Sequence, residues 1–191
     1  MRRVTGPGAA FFEAVRERLG GLPFLAEDLG DITPDVRELR RELGLPGMKV
    51  LQFAFDGGAD NPYLLHHHES NDVVYTGTHD NDTTIGWFKG SPDDIRSPEE
   101  IVAAQQAALR ATGGTPETIH LDMIRTAFAT RSRIAIAPMQ DYLGLGSEAR
   151  TNVPGTSSNN WRWRLLDSQL TDSVCDNVAA MVAAAERAPA R

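Results

Sequence analysis

The chain has 191 residues, with 19 Lys+Arg against 26 Asp+Glu for a formal charge of -7, the wrong sign for a surface that gathers phosphate backbones, so nucleic acid is not an expected partner. Its 41% hydrophobic residues and 17 Gly give the composition of a folded globular domain rather than a disordered one. The single Cys175 excludes an internal disulfide, and no apolar run approaches the roughly 18 residues that span a bilayer.

Met1-Arg2-Arg3-Val4 is basic but runs into Thr5-Gly6-Pro7-Gly8 without an apolar stretch, so no signal peptide is expected and a reducing, cytoplasmic setting is. Pro7 and Gly8 open a helix in which Phe11, Val15 and Leu19 recur every four residues until Gly20-Gly21 stops it. Pro23 to Ala26 reads as a short apolar strand that ends in Glu27-Asp28-Leu29-Gly30. Thr33 caps a second helix, with Pro34 at its first position, Val36, Leu39 and Leu43 on one face and Gly44 beyond its end. Met48 to Phe55 and Val73 to Thr78 read as strands, the latter running into His79-Asp80-Asn81-Asp82. Ser97-Pro98-Glu99-Glu100 is a capping box and Thr115-Pro116-Glu117 a second helix start. Arg133 to Pro138 is the last strand, and Asp167 to about Arg187 a final helix with Leu170, Val174, Val178 and Met181 on one side.

Continuous apolar strands alternating with helices indicate a parallel sheet covered by helices. Four strands are too few for a (β/α)8 barrel, which needs eight, so a barrel could be present only in part. No repeat or linker divides residues 1–191, which read as one domain. Candidate chemistry follows the strands: Glu27 and Asp28 after the first, Asp56 after the second, His79, Asp80 and Asp82 after the third, Gln140 and Asp141 after the last. In parallel α/β folds that rim carries the sites. Asp31, Asp35 and Asp82 suit turns and caps, whereas Glu27, directly after an apolar strand, has no capping role.

Ala26-Glu27-Asp28-Leu29-Gly30, Leu45 to Phe55 and Tyr75-Thr76-Gly77-Thr78-His79-Asp80-Asn81-Asp82-Thr83 resemble the 4-α-glucanotransferases, the amylomaltase or disproportionating-enzyme family. Pro138 to Asp141, Leu143 to Gly146, Asn152 to Gly155 and Asn160 to Arg164 continue the resemblance in the family's order. It implies an α/β fold that is the C-terminal half of an amylase-like (β/α)8 TIM barrel. The implied activity is retaining transfer of α-1,4-glucan segments between maltodextrins, with glucose as an acceptor. The family's general acid/base falls on Glu27 and its transition-state-stabilising Asp on Asp80, while substrate contacts are implied for His79, Asp28, Asn81, Gln52 and Trp161. The division suits the chemistry, because a glycosidic oxygen leaves well only when protonated, while the stabilising carboxylate must stay ionised.

The family's nucleophilic Asp stands in an Arg-x-Asp setting upstream of the acid/base, and this sequence has no such triplet before Glu27. The expectation is therefore a fragment, inactive alone and completed by the missing N-terminal half or by self-association. A non-catalytic glucan-binding or assembly module is the rival reading. His66-His67-His68-Glu69 invites a metal, but consecutive histidines project in different directions, so neither a metal nor another cofactor is expected. A metal-dependent hydrolase using His66, His68 and His79 is the weakest alternative. The family's Pro-His-Asn-Tyr and Arg-Met-Asn segments are altered here, around Leu65 to His68 and at Arg150-Thr151-Asn152. Tyr142 to Asn160 is too long for a passive connection and reads as a lid or binding loop.

Overall fold

The computed structural model describes residues 6–187. Three parallel strands, β1 (Gly47–Val50), β2 (Asp72–Tyr75) and β3 (Ile134–Ile136), lie in the order β1-β2-β3. Met48 faces Val73 and Val73 faces Ile134 across the ladder. The helices are α1 (Ala9–Leu19), α2 (Pro34–Glu42), α3 (Thr84–Lys89), α4 (Pro98–Thr112), α5 (Ile119–Ala129), α6 (Met139–Tyr142) and α7 (Asp172–Ala184). A parallel neighbour can be reached only by a crossover, and α3, α4 and α5 make the one from β2 to β3.

The core follows from helical spacing. Ala104 and Ala108 of α4 meet Ile119, Met123 and Ala127 of α5 over Leu51 and Val74. The next stripe of α5, Ile124 and Phe128, packs on Met181 of α7, so α5 is apolar on two sides and is buried between layers. By contrast, α1 and α2 contribute no buried residue.

The α/β class and the parallel pairing agree with the sequence, but among the described residues three strands form where four were expected. Pro23 to Ala26 is not a strand: Pro23 has no N–H to give, and only the Ala26 N–H reaches across, to Pro46 O at 2.9 Å. β1 stops at Val50, and Leu51–Phe55 winds into a 3-10 turn. The second helix start is shifted as well. Thr118, not Thr115, caps α5, and residues 115–118 form a turn in which the Thr118 N–H donates to Thr115 O. The last helix is broken by an exposed Leu170, with Asp167–Gln169 as a 3-10 turn before Thr171 caps α7. The capping box of Ser97 and Glu100 is complete in both directions. Among the described residues no helix is long and apolar enough to cross a membrane.

Candidate active site

A cleft of about 1030 Å³ opens at the C-terminal ends of β2 and β3, lined among others by Glu27, His79, Asp80, Gln140 and Arg150. Its floor is the turn after β2. Asn81 closes that turn, its Oδ1 accepting both the Thr78 N–H and the Thr78 hydroxyl at 2.9 Å. The Asp80 N–H then donates to Thr78 Oγ1 at 3.2 Å, which leaves the Asp80 side chain pointing out of the turn.

Asp80 is gripped from three directions. Asn152 Nδ2 donates to its Oδ1 at 2.6 Å, Arg150 donates to its carbonyl at 2.8 Å, and His79 Nε2 stands 3.3 Å from the same carboxylate. Two of these contacts, from Asn152 and His79, fix the carboxylate, and the Arg150 contact fixes the backbone that carries it. The Arg150 and Asn152 contacts come from the loop of residues 151–161 and its stem. That loop folds back on itself through Val153 N–H to Asn160 Oδ1 at 2.9 Å and Trp161 N–H to Thr151 O at 2.7 Å. Trp161 sits at φ 60°, a left-handed conformation unusual for a bulky residue, with its ring 5.0 Å from that of His79. The segment from Tyr142 to Asn160 is thus not structureless: it contains a 3-10 turn at Ser147–Ala149 and a closed loop over the cleft rim.

Two residues assigned to substrate by the resemblance are engaged elsewhere. Asp28 accepts the Met48 N–H at 2.7 Å and pairs with Arg40 at 3.1 Å, and it does not line the cleft. Gln52 is buried, donates to Asp82 O at 2.9 Å and fills the space a side chain at Gly77 would need. It supports the turn from beneath. Asn81 lines the cleft but spends its side-chain oxygen within the turn. Glu27, His79, Asp80 and Trp161 remain exposed.

Asp141 is the buried acid of the site's foundation. It accepts the Thr76 and Thr84 hydroxyls at 2.6 and 2.9 Å and the Thr84 N–H at 2.7 Å, joining α6 to the end of β2 and the start of α3. Burial pushes its carboxyl above the usual range, against the pull of those donors. Sequence reading placed Asp141 on the rim but could not assign this role, because Thr76 lies 65 positions away. Of the other rim acids, Asp82 accepts the Ser147 hydroxyl at 2.7 Å. Asp56 lies outside the cleft lining.

The histidine run disperses. His68 is buried with Nε2 3.0 Å from Tyr63 O, His67 Nδ1 lies 2.9 Å from Asn61 O, and His66 meets the His67 ring edge to face. Among the described residues no group of three or more His, Cys, Asp or Glu could hold a metal.

Two carboxylates, Glu27 and Asp80, thus line one cleft at the rim of a parallel sheet, with His79 against Asp80 and Trp161 beside His79, an α/β rim site. The chain belongs to the 4-alpha-glucanotransferase family, glycoside hydrolase family 77, which it matches over residues 2–170. It is 47% identical over 170 residues to the chloroplastic/amyloplastic 4-alpha-glucanotransferase DPE1 of Arabidopsis thaliana, covering 89% of this chain and 28% of that protein. The 4-alpha-glucanotransferase of Thermus thermophilus is 45% identical over 188 residues, covering 97% of this chain and 37% of that one. The amylomaltase of Streptococcus agalactiae, solved in complex with acarbose, superposes with a TM-score of 0.85 at 31% identity, over 96% of this chain and 36% of the other. The chain therefore spans about a third of the length of these relatives.

Proposed function

We propose that these residues form part of the active site of a retaining 4-α-glucanotransferase acting on α-1,4-glucans, on a segment of an amylase-like barrel, in a cytoplasmic setting. Glu27 is the general acid/base and Asp80 the ionised stabiliser. The observation that supports this most is their convergence: Glu27, from the segment before β1, and Asp80, from the turn after β2, line one cleft. His79 and the loop of residues 151–161 hold the Asp80 carboxylate where it can accept sugar hydroxyls next to the oxocarbenium-like centre. Trp161 offers an apolar ring face to a glucose unit.

Retaining transfer needs a nucleophilic carboxylate about 5 to 5.5 Å from the acid/base, on the opposite side of the bond. The family's Arg-x-Asp setting for it has no counterpart in residues 1–191, so the nucleophile is supplied from outside them. In this reading the chain binds maltodextrins but does not transfer them. The test is to incubate the purified chain with maltotriose and, separately, to titrate it with acarbose. Saturable acarbose binding that Asp80→Ala weakens at least tenfold, with no glucose or longer maltodextrins formed, is the expected result. Turnover above a Glu27→Gln control would overturn the assignment of the nucleophile, and no acarbose binding by a chain that is folded by circular dichroism would overturn the site.

A further inference from the structure

Little backbone holds the segment that delivers Glu27. Between α1 and α2 one backbone–backbone hydrogen bond among the described residues leaves the segment, Ala26 N–H to Pro46 O at 2.9 Å, and the apolar Phe24 and Leu25 before it are exposed. Anchorage falls on the next residue. Asp28 Oδ1 accepts the Met48 N–H of β1 at 2.7 Å, while Oδ2 lies 3.1 Å from Arg40 Nε of α2. That Arg40 N–H makes no aligned hydrogen bond, so its tie to Asp28 is a charge contact in a partly buried place. Arg40 is itself fixed by donating from Nη1 to Leu45 O at 3.1 Å. Gly47 completes the arrangement, since a Cβ there would stand 2.7 Å from both Arg40 Nη1 and Asp28 Oδ2.

We propose that Asp28, Arg40 and Gly47 form a clamp that positions Glu27, fixing one end of the peptide unit that joins Glu27 to Asp28 so that the acid/base carboxyl keeps its place in the cleft. Asp28 is thus a positioning residue: its oxygens serve β1 and α2, and it does not line the cleft. A loose segment would let the Glu27 carboxyl wander, and misplacement of about 1 Å is enough to cost a large factor at a reacting centre. The inference rests on the proposed role of Glu27.

The experiment compares two ligands on the same protein. Acarbose carries a basic secondary amine where a maltodextrin carries a bridging oxygen, so its affinity includes the hydrogen bond or ion pair that this nitrogen makes with a carboxyl at the acid/base position. Maltotetraose is neutral and reports the rest of the cleft. Calorimetric titration of Asp28→Ala and Gly47→Ala is expected to show acarbose weakened tenfold or more and maltotetraose changed less than twofold, with Asp28→Asn intermediate because it keeps an acceptor for Met48. In a Glu27→Gln background, Asp28→Ala should change acarbose affinity less than twofold, since no acid/base carboxylate remains to be positioned.

Additive losses in that cycle, or equal losses for both ligands, would overturn the clamp. Unchanged acarbose affinity in folded variants would overturn it too. If Asp28→Ala does not fold by circular dichroism, Gly47→Ala and Asp28→Asn carry the same cycle. A wild-type chain that is folded by circular dichroism yet binds neither ligand would refute the reading of Glu27 itself, and the clamp with it, before any variant is measured.

Discussion

Glu27 and Asp28 are adjacent acids with opposite surroundings: one faces the cleft, the other is tied to β1 and α2. With the active site completed by a polypeptide that supplies the nucleophile, Glu27→Gln should lower transfer by roughly 100-fold to 10,000-fold, the range of a positioned acid/base. Asp28→Asn should cost less, and steady-state rates of maltotriose disproportionation check both. A second prediction belongs to His68. Its Nε2 lies 3.0 Å from a carbonyl, which must accept, so the proton sits on Nε2, and Nδ1 faces the Ser132 hydroxyl at 3.5 Å. Burial pushes this imidazole below the usual histidine value, with Lys49 opposing and Asp72 favouring its charge. The unfolded chain therefore binds more protons between the lowered value and the ordinary one, so stability is full above about pH 6.5 and falls as pH drops through that window. The loss is at most about 1.4 kcal/mol per pH unit for this group. His120, also pushed down by burial, adds in the same direction. Thermal melts at pH 7.5 and 5 should show a smaller loss in His68→Gln than in the parent. At this scale the cleft residues were legible because a Glu after an apolar run has no local use. The engagements of Asp28 and Gln52 were not, since their partners lie 20 and 30 positions away.

Elements were legible where their ends are locally determined. The capping box at Ser97 needs only residues within four positions, and it forms as read, with Glu100 N–H to Ser97 Oγ at 3.2 Å and Ser97 N–H to Glu100 Oε2 at 2.7 Å. Ser97→Ala should therefore destabilise the fold by about 1 kcal/mol, seen as a lower urea midpoint with an unchanged slope. Thr115-Pro116-Glu117 carries the same kind of signal, yet the chain first makes a turn, closed by the Thr118 N–H on Thr115 O at 3.1 Å, and Thr118 stands at the N-cap without a side-chain capping bond. Two competing caps three residues apart differ too little for sequence to separate them. Pro23 to Ala26 failed for a tertiary reason. Apolar content marks a segment for burial, but a strand also needs a ladder partner, and here only Pro46 O is offered.

The whole molecule shows more surface than a finished unit of its size. Its accessible area is 12337 Å², whereas a compact monomer of 20.8 kDa exposes about 9,000 Å² by the usual scaling. The excess, on the order of 3,000 Å² on one chain, is more than the roughly 800 Å² that a standard interface takes from each partner. Its location is physically specific. β3 is an edge strand whose Ile134 and Ile136 are 41% and 39% exposed, and α1 presents Phe11 and Leu19 to solvent without one buried residue. An apolar edge with unpaired backbone groups is a template for another strand, and neither a charged side chain nor a proline guards Ile134–Ile136 from within. The charge of -7 opposes association, but charges spread over the surface are screened beyond roughly 10 Å and cannot substitute for a missing sheet neighbour. The chain by itself should therefore self-associate at low micromolar concentration, or melt over a broad range with little cooperativity, until a polypeptide that covers β3 and α1 is supplied. Sedimentation velocity with parallel thermal melts decides this. Ile136→Lys should reduce the self-association, because a charge on the edge penalises pairing, while leaving the buried Val73 and Val74 of β2 undisturbed. A compact monomer with a single sharp transition would mean that the exposed edge is tolerated and that the apolar faces of β3 and α1 need no cover.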